Sequence, residues 1–358
     1  MCEYIINSSE KTQRSATEQE TKTMFYLMGY MDDSKKIESF VIDVFNDVSA
    51  VNVDCCVFWD SQSKGENTSS PNSIGKELVT LFKNYISIFN FDYYILSLRG
   101  ISEKNIIDSK KPLSNITVLK YDDFVDPARS LIKNSLIEEC NNKTYIHVDE
   151  FFKKNVDEFL SKVKIVVNNA PNNEYIKKIT FMKDELINDD VISDIFEVIR
   201  AEQLKIKTNS NINGLKLKKR EEALKLNRTF SVKSINSLIL GKILGHSIIT
   251  ENKTSLYCPT SFFDYIVKHR INTKEIDDVV NDATNGIYKM LINENLNKEF
   301  WDLIYCIYEE IDRCENNVYA IYTDIKKHYS HLLYVNMATE AELIYLIACV
   351  LGGKKNES

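Results

Sequence analysis

Residues Ile42 to Gly65 read IDVFNDVSAVNVDCCVFWDSQSKG, and this stretch decides the expected fold. The apolar residues from Ser39 to Ala50 occupy both alternating sets of positions, which is typical of a strand buried on both faces. Val53 to Trp59 is rich in β-branched and aromatic residues and predicts the returning strand, with Asn52 in the turn. The stretch therefore predicts a β-hairpin inside a sheet.

The segments around the hairpin predict an α/β domain. A helix is expected from Ala16 to Met31, and the polar loop Gly65 to Asn72 leads into a second helix from Ser73 to about Ile88. Asp92 to Leu98 is typical of another buried strand. Further helices are expected near 126–139 and 149–161, and a further strand over 163–167.

The pattern changes after Asn168, where NNAPNNE predicts a linker and most later segments have helical spacing. In the last helix, Thr339 and Glu342 suit a capping box, and Gly352 with Gly353 predicts its end. The expected helices in this half cover 189–207, 215–227, 232–245, 260–269, 275–292, 297–313, 315–329 and 339–351. The predicted division is a disordered N-terminus at 1–15, an α/β domain at 16–175, and an α-helical domain for partner binding or oligomerisation at 176–358.

Composition predicts a folded cytoplasmic protein. The chain has 358 residues, 44% of them hydrophobic, and contains no run of about 18 apolar residues that would cross a membrane. Its polar N-terminus lacks the apolar segment of a signal peptide. The 8 cysteines form no CxxC pair, which favours reduced, buried thiols over a zinc site. The net charge of −7 disfavours nonspecific attraction of the whole molecule to DNA.

Two carboxylates, an amide and a lysine cluster in the hairpin and indicate metal-assisted phosphodiester chemistry. Asp43 and Asp47 are expected near the end of one strand, and a Mg²⁺ or Mn²⁺ ion takes one or two such carboxylates together with waters. Gln62 could add a carbonyl oxygen to the metal. Lys64, two residues further along, should point to the same side as Gln62, where it could orient or deprotonate water or hold the phosphate.

This arrangement resembles the PD-(D/E)xK nuclease superfamily, over roughly residues 16–100. Asp47 matches the acidic position of that family, and Gln62-Ser63-Lys64 matches the QxK variant of its second motif. Asp43 matches an additional upstream acid, although glutamate is more usual there. The resemblance implies a restriction-endonuclease-like mixed sheet flanked by helices. It also implies Asp47, Asp43 and Gln62 as ligands of Mg²⁺ or Mn²⁺, with Lys64 completing the catalytic set.

More narrowly, the stretch is similar to effector endonucleases of bacterial antiphage systems such as CBASS and Lamassu, and to components of ABC-three-component systems. This resemblance implies cleavage of double-stranded DNA within a defence complex. It further implies an SMC-like or ABC-type ATPase and accessory subunits as partners, and homo-oligomerisation on activation. An alternative of another class is a catalytically inactive adaptor that keeps the nuclease fold as a binding module.

The residues leave alternatives open for the acidic ligand. Asp54 or Asp60 could replace Asp47, which is preferred because it leaves enough residues for a turn before Gln62. Glu20 and Glu38, on preceding segments, are reserve ligands. The motif is short, and the competing interpretation is that the aspartates cap strands while the lysine begins a solvated loop.

A basic segment between 205 and 228 carries eight basic and two acidic residues in an otherwise acidic chain. One interpretation is a surface that contacts DNA phosphates beside the nuclease cleft. The other is a solvated helix face next to a polar loop. The residues predicted to bind DNA are Lys216, Lys218, Lys219 and Arg220.

Overall fold

The computed structural model describes residues 4–6, 14–107, 113–143, 150–180, 189–243, 258–292, 297–314 and 316–356. The chain divides into two compact units. The first comprises Met1–Tyr175 and Ile199–Val232, and the second comprises Ile176–Val198 and Lys233–Ser358.

Strands are confined to the first unit among the described residues. They are β1 (Tyr4–Ile5), β2 (Ile37–Ile42), β3 (Val48–Asn52), β4 (Phe58–Lys64), β5 (Tyr93–Leu98), β6 (Ile116–Lys120), β7 (Val163–Asn168), β8 (Lys216–Leu217) and β9 (Thr229–Ser231). Seven of them form a mixed sheet in the order β6-β7-β5-β4-β3-β2-β9, and β1 pairs with β8 in a separate antiparallel ribbon. Within the sheet, β4, β5 and β7 are parallel to one another, and the remaining neighbours are antiparallel.

Helices flank this sheet in the first unit. They are α1 (Arg14–Gly29), α2 (Pro71–Glu77), α3 (Val79–Tyr85), α4 (Asp126–Asn141) and α5 (Glu150–Lys162). The described apolar residues of α1 lie against β3, β4 and β7, and Met24, Phe25 and Leu27 are buried there. Helices α2 and α4 pack tightly against each other. The predicted α/β domain, a mixed sheet flanked by helices, is therefore confirmed.

The remaining chain is mainly helical, as predicted. Its helices are α6 (Asn172–Thr180), α7 (Asp189–Thr208), α8 (Val232–Ile243), α9 (Phe263–Lys268), α10 (Ile276–Ile292), α11 (Asn297–Arg313), α12 (Val318–His328), α13 (Ser330–Asn336) and α14 (Glu340–Asn356). Buried apolar side chains from α10, α11 and α14 form the interior of the second unit. Two details of the prediction were wrong: α6 begins within the expected linker, and α14 runs through Gly352 and Gly353 instead of ending there.

The expected strand from Ser39 to Ala50 is in fact two strands. β2 ends at Ile42, a turn covers residues 43–47, and β3 runs back antiparallel to β2. Asp43 adopts a left-handed backbone with φ 55°, and its N–H donates to the Asp47 carbonyl at 3.1 Å. Val44 and Phe45 are buried although they lie in the turn, so the apolar pattern continues through it and conceals the reversal.

The returning strand also begins later than expected. Residues 53–57 form a turn in which Asn52 Oδ1 accepts hydrogen bonds from the N–H groups of Cys56 and Val57, at 2.9 and 2.8 Å. Cys55 has φ 54°, and both adjacent cysteines, Cys55 and Cys56, lie in this turn. The strand β4 starts at Phe58 and extends to Lys64.

Both ends of the predicted α/β domain differ from expectation. Tyr4 and Ile5 form β1 with Tyr4 buried, so these two residues are ordered, whereas 1–3 and 7–13 lie outside the described residues. The segment 199–232 belongs to the first unit and not to the helical one, because β9 pairs with β2 at the edge of the sheet. The predicted helix over 215–227 is wrong: it contains β8 and a 3-10 turn, Arg220–Lys225.

Within the described residues, no single helix has the length and apolar composition needed to cross a membrane. The bent pair Ser330–Asn336 and Glu340–Gly352, with 110° between its two helices, meets that test only when the two are taken together.

Gly75 permits the close packing of α2 on α4, and replacing it with alanine should destabilise the first unit. A Cβ at this position would lie 2.3 Å from the Ile132 carbonyl oxygen and 2.8 Å from Ser135 Cβ. Because the nearest atom belongs to the backbone, the helices would have to separate, at about 1–3 kcal/mol. Urea unfolding should show this loss for Gly75→Ala and a change within about 0.5 kcal/mol for the exposed neighbour Lys76→Ala.

Candidate functional site

The turn at 43–47 and the end of β4 line one groove with a volume of about 420 Å³. The structure brings the four predicted catalytic residues to this groove: Asp43, Asp47, Gln62 and Lys64. Helices α2 and α3 contribute Glu77 and Thr80 to the same lining. The groove lies at the carboxyl end of β4, where the antiparallel pair β3–β4 ends at Val48 and Ser61.

Asp47 is held rigidly by the strand beside it. Its Oδ2 accepts hydrogen bonds from Ser63 N at 2.8 Å, Ser63 Oγ at 2.8 Å and Gln62 Nε2 at 2.9 Å. All three bonds end on one oxygen, so the carboxylate cannot rotate without losing them together. Among the described residues, no group donates a hydrogen bond to the other oxygen, Oδ1. This oxygen is therefore available to a ligand in the groove.

Gln62 orients Asp47 in this arrangement. Its amide nitrogen donates to Asp47, and its amide oxygen accepts from Thr80 Oγ1 at 3.1 Å. The oxygen that could bind a metal is therefore turned away from Asp47. A half-turn of the amide would turn this oxygen toward Asp47 Oδ2 and lose the hydrogen bond between the two side chains, with the Thr80 hydroxyl then accepting instead of donating. The role of Gln62 as a metal ligand stays a prediction.

Lys64 forms an ion pair with Glu77 of α2, with Nζ and Oε2 3.0 Å apart. Burial disfavours the charged ammonium, but the Glu77 and Asp47 carboxylates outweigh burial and raise the pKa of Lys64. The side chain therefore remains protonated near neutral pH. It is suited to holding an anionic oxygen or orienting water, and unsuited to removing a proton.

Asp43 reaches the groove from the start of the turn, where its left-handed backbone is one that aspartate tolerates better than most residues. Its Oδ2 lies 3.7 Å from Nη1 of the buried Arg228. Arg228 is fixed in turn by its Nη2, which donates to the Ser210 carbonyl, and by its own carbonyl, which accepts from Ile42 N at 2.8 Å. The acid is therefore partly neutralised from within the protein.

Glu20 lies in the same electrostatic environment. This residue of α1 is 4% exposed and pairs with Lys207 of α7 at 2.8 Å. Burial raises the pKa of Glu20, and the negative charges of Asp47 and Asp43 raise it further, while Lys207 opposes them. The reserve acid of the sequence is thus close enough to Asp47 to respond to its charge. From the sequence, Glu20 had only a reserve role, because the polar residues from Thr17 to Thr23 show no apolar periodicity that would predict their burial. In the structure most of them are buried.

The structure separates the other candidate acids from the groove. Asp60 has no solvent exposure and accepts hydrogen bonds from Asn46, Asn84 and Ser49, so a ligand cannot reach it. Asp54 is exposed in the turn that precedes β4, at the opposite end of the strand from Gln62. Of the acids considered for the family position, Asp47 is the one that lines the groove beside the QxK residues.

The basic segment divides into three environments. Lys216, Lys218 and Lys219 are exposed, so their predicted role in DNA binding stays open. Arg220 is instead structural: its guanidinium donates to the carbonyls of Cys56, at 2.7 Å, and of Asn90, and lies over the Phe58 ring. Lys207 and Arg228, also in this basic segment, are buried beside acids of the groove region.

The donors at the groove fit a divalent cation that keeps part of its water shell. Asp47 Oδ1 and the Asp43 carboxylate are hard oxygen donors, which Mg²⁺ and Mn²⁺ prefer. Among the described residues, no third acid joins Asp43 and Asp47 in a compact set of metal ligands. Within the described residues, one group of three acidic, cysteine or histidine side chains has ligand atoms within 4.8 Å of one another: Glu310, Cys314 and Asp324. That group lies in the second unit, where Glu310 already pairs with Arg313.

No protein-family model, curated protein or solved structure matches this chain. The PD-(D/E)xK resemblance therefore stays a prediction from the motif. The chemistry of the groove residues is what supports a functional proposal.

Asp60 should make stability depend on pH. Burial raises the pKa of Asp60 to about 7, although three donated hydrogen bonds favour its charged form. The Asp60 carboxyl releases its proton near pH 4 in the unfolded chain and near pH 7 in the folded protein. The free energy of unfolding should therefore fall as the pH rises from about 4 to about 7.

Urea unfolding of wild type and Asp60→Asn at pH 5 and pH 8 tests this expectation. The variant should gain about 2–3 kcal/mol relative to wild type between the two pH values. Any packing cost of the asparagine is the same at both and cancels. A difference that does not change with pH would show that Asp60 is ionised throughout.

Arg220 should matter for stability more than for DNA binding. Arg220→Met removes donors from the Cys56 and Asn90 carbonyls and should lower the free energy of unfolding by about 1–3 kcal/mol. The exposed neighbour Lys219→Met should stay within about 0.5 kcal/mol of wild type. Equal unfolding midpoints for the two variants would contradict the structural role.

Proposed function

We propose that this protein is a metal-dependent endonuclease that cleaves double-stranded DNA as the effector subunit of a bacterial antiphage defence complex. The observation that supports the proposal is the groove in which Asp47, Gln62 and Lys64 meet beside Asp43. Gln62 and Lys64 share β4, and the antiparallel pairing of β3 with β4 brings Asp47, which directly precedes β3, beside them. Such a combination of hard oxygen donors and a charged lysine suits phosphodiester hydrolysis.

In the proposed reaction, Asp47 and Asp43 would hold Mg²⁺ or Mn²⁺, which supplies neutralisation of phosphate charge and a more acidic bound water. Gln62 and Ser63 keep the Asp47 carboxylate in one orientation. Lys64 remains charged, so it would contact a phosphate oxygen or orient the attacking water. Glu77 keeps the Lys64 ammonium at the groove.

The wider biological context rests on the resemblance of the motif to antiphage effectors. Double-stranded DNA as substrate, an SMC-like or ABC-type ATPase with accessory subunits as partners, and oligomerisation on activation are all parts of this proposal. The helical second unit would provide the partner-binding or oligomerisation surface.

A second candidate is a catalytically inactive adaptor that retains the same fold. Two observations favour it: Arg228 already faces Asp43, and the Gln62 amide presents nitrogen, not oxygen, to Asp47. In an adaptor, these contacts would simply stabilise the turn.

Lys64→Ala should abolish cleavage if the protein is a nuclease. Loss of a charged group that acts on the scissile phosphate or its water should lower the rate by about 10²–10⁴-fold. The measurement is conversion of supercoiled plasmid to nicked and linear forms, with Mg²⁺ or Mn²⁺ and with EDTA. The matched control is Lys133→Ala, which removes a lysine that is ion-paired with Asp157 outside the groove lining.

The same assay distinguishes the two candidates. Asp47→Asn should lose activity together with Lys64→Ala, while both variants unfold at midpoints close to wild type. If the wild-type protein, alone and with its partner subunits, cleaves nothing in either metal, the adaptor is the correct assignment. Preferential degradation of RNA would instead change the substrate.

A further inference from the structure

Lys207 and Glu20 form an ion pair that is almost completely removed from solvent. The two side chains are 6% and 5% exposed, and Nζ lies 2.8 Å from Oε1. The helices that carry them are also joined by a hydrogen bond from Thr21 Oγ1 to Gln203 Oε1 at 2.8 Å. The Lys207 ammonium is therefore held in a fixed, buried position beside α1.

The charge of Lys207 acts on more than its direct partner. Burial disfavours its charged form, but Glu20, Asp47 and then Asp43 favour it, and together they raise the pKa of Lys207. The same two aspartates act on Glu20. Three carboxylates thus lie near one ammonium. Glu20 is buried on α1, which packs against β3 and β4, whereas Asp43 and Asp47 are partly exposed at the groove. A buried carboxylate without nearby positive charge would be strongly unfavourable.

We propose that Lys207 is a tethered counter-cation of the groove acids, which stabilises them when no metal is bound and competes with a divalent ion for them. This inference rests on the proposed metal site at Asp47 and Asp43. A divalent ion that reaches these carboxylates brings its charge close to a fixed ammonium, and the two repel each other. Lys207 should therefore weaken metal binding without touching the metal.

Arg228 has a different role. The Arg228 guanidinium donates a hydrogen bond to the Ser210 carbonyl, and the Arg228 carbonyl accepts one from Ile42 N at the end of β2. Arg228 is therefore part of the local fold. Lys207 projects on a flexible four-carbon stem from a helix, and its ammonium is a compact point charge. It can be replaced by an uncharged side chain of similar length with less effect on the backbone around the groove.

The test is a calorimetric titration of Mn²⁺ into the full-length protein without DNA. Lys207→Met should bind Mn²⁺ about tenfold more tightly than wild type, because one nearby positive charge is gone. Lys207→Arg keeps the charge and should bind as wild type does. Lys205→Met, which removes an exposed lysine paired with Glu202 on the same helix, is the matched control and should also leave the affinity unchanged.

A second pair of variants covers the case in which Lys207→Met leaves Glu20 unpaired and unfolds the protein. Glu20→Gln and the double variant Glu20→Gln/Lys207→Met differ only in the lysine, and neither contains the buried carboxylate of Glu20. The double variant should bind Mn²⁺ about tenfold more tightly than the single one. Equal or weaker binding without Lys207 overturns the inference.

The titration separates this inference from the proposed nuclease activity. If Asp47→Asn leaves Mn²⁺ binding unchanged, or wild type and Lys207→Met both bind no Mn²⁺, then the inference is wrong whatever the cleavage assay shows. If Lys207→Met tightens binding while no variant cleaves DNA, the inference holds and the nuclease proposal fails.

Discussion

The bonds that converge on the Asp47 carboxylate connect the fold to the groove. One oxygen of this acid accepts from the Ser63 backbone, the Ser63 hydroxyl and the Gln62 amide, and so links the turn after β2 to the end of β4. Because one of these donors is a backbone N–H, the acid position depends on the β3–β4 register itself. A shift of that register by one residue would exchange the faces of Gln62 and Ser63 and remove the groove chemistry.

A concentration of negative charge near a protein interior requires compensation, and a distant part of the chain supplies it. Lys207 and Arg228 come from the segment 199–232, which joins the first unit after residues assigned to the second. Both are buried, and each faces an acid near the groove. Two acids of the first unit, Glu20 and Asp43, are therefore paired with basic residues more than 150 positions away in sequence.

Local patterns predicted most of the elements around the groove. The apolar spacing of α1, the aromatic and aliphatic run of β5 and the β-branched run of β7 are local patterns, which a sequence displays directly. The sequence pattern did not predict the turn at 43–47. Val44 and Phe45 are buried within it, so the apolar pattern continues, and Asp43 adopts the left-handed backbone without a glycine. The helix predicted at 215–227 was also wrong. The charged residues there favour a helix locally, but part of the segment forms β8, which pairs with the distant strand β1.

The sequence by itself determined the α/β and helical halves and the association of Asp47, Gln62 and Lys64 with one hairpin. These follow from the spacing of residues that are near each other in the chain. Only the tertiary structure decided that Asp60 is sealed in the core, that Arg220 supports a turn, and that Glu20 meets Lys207. Burial and long-range charge pairing depend on which distant segments pack together, and no local pattern of residues encodes that choice.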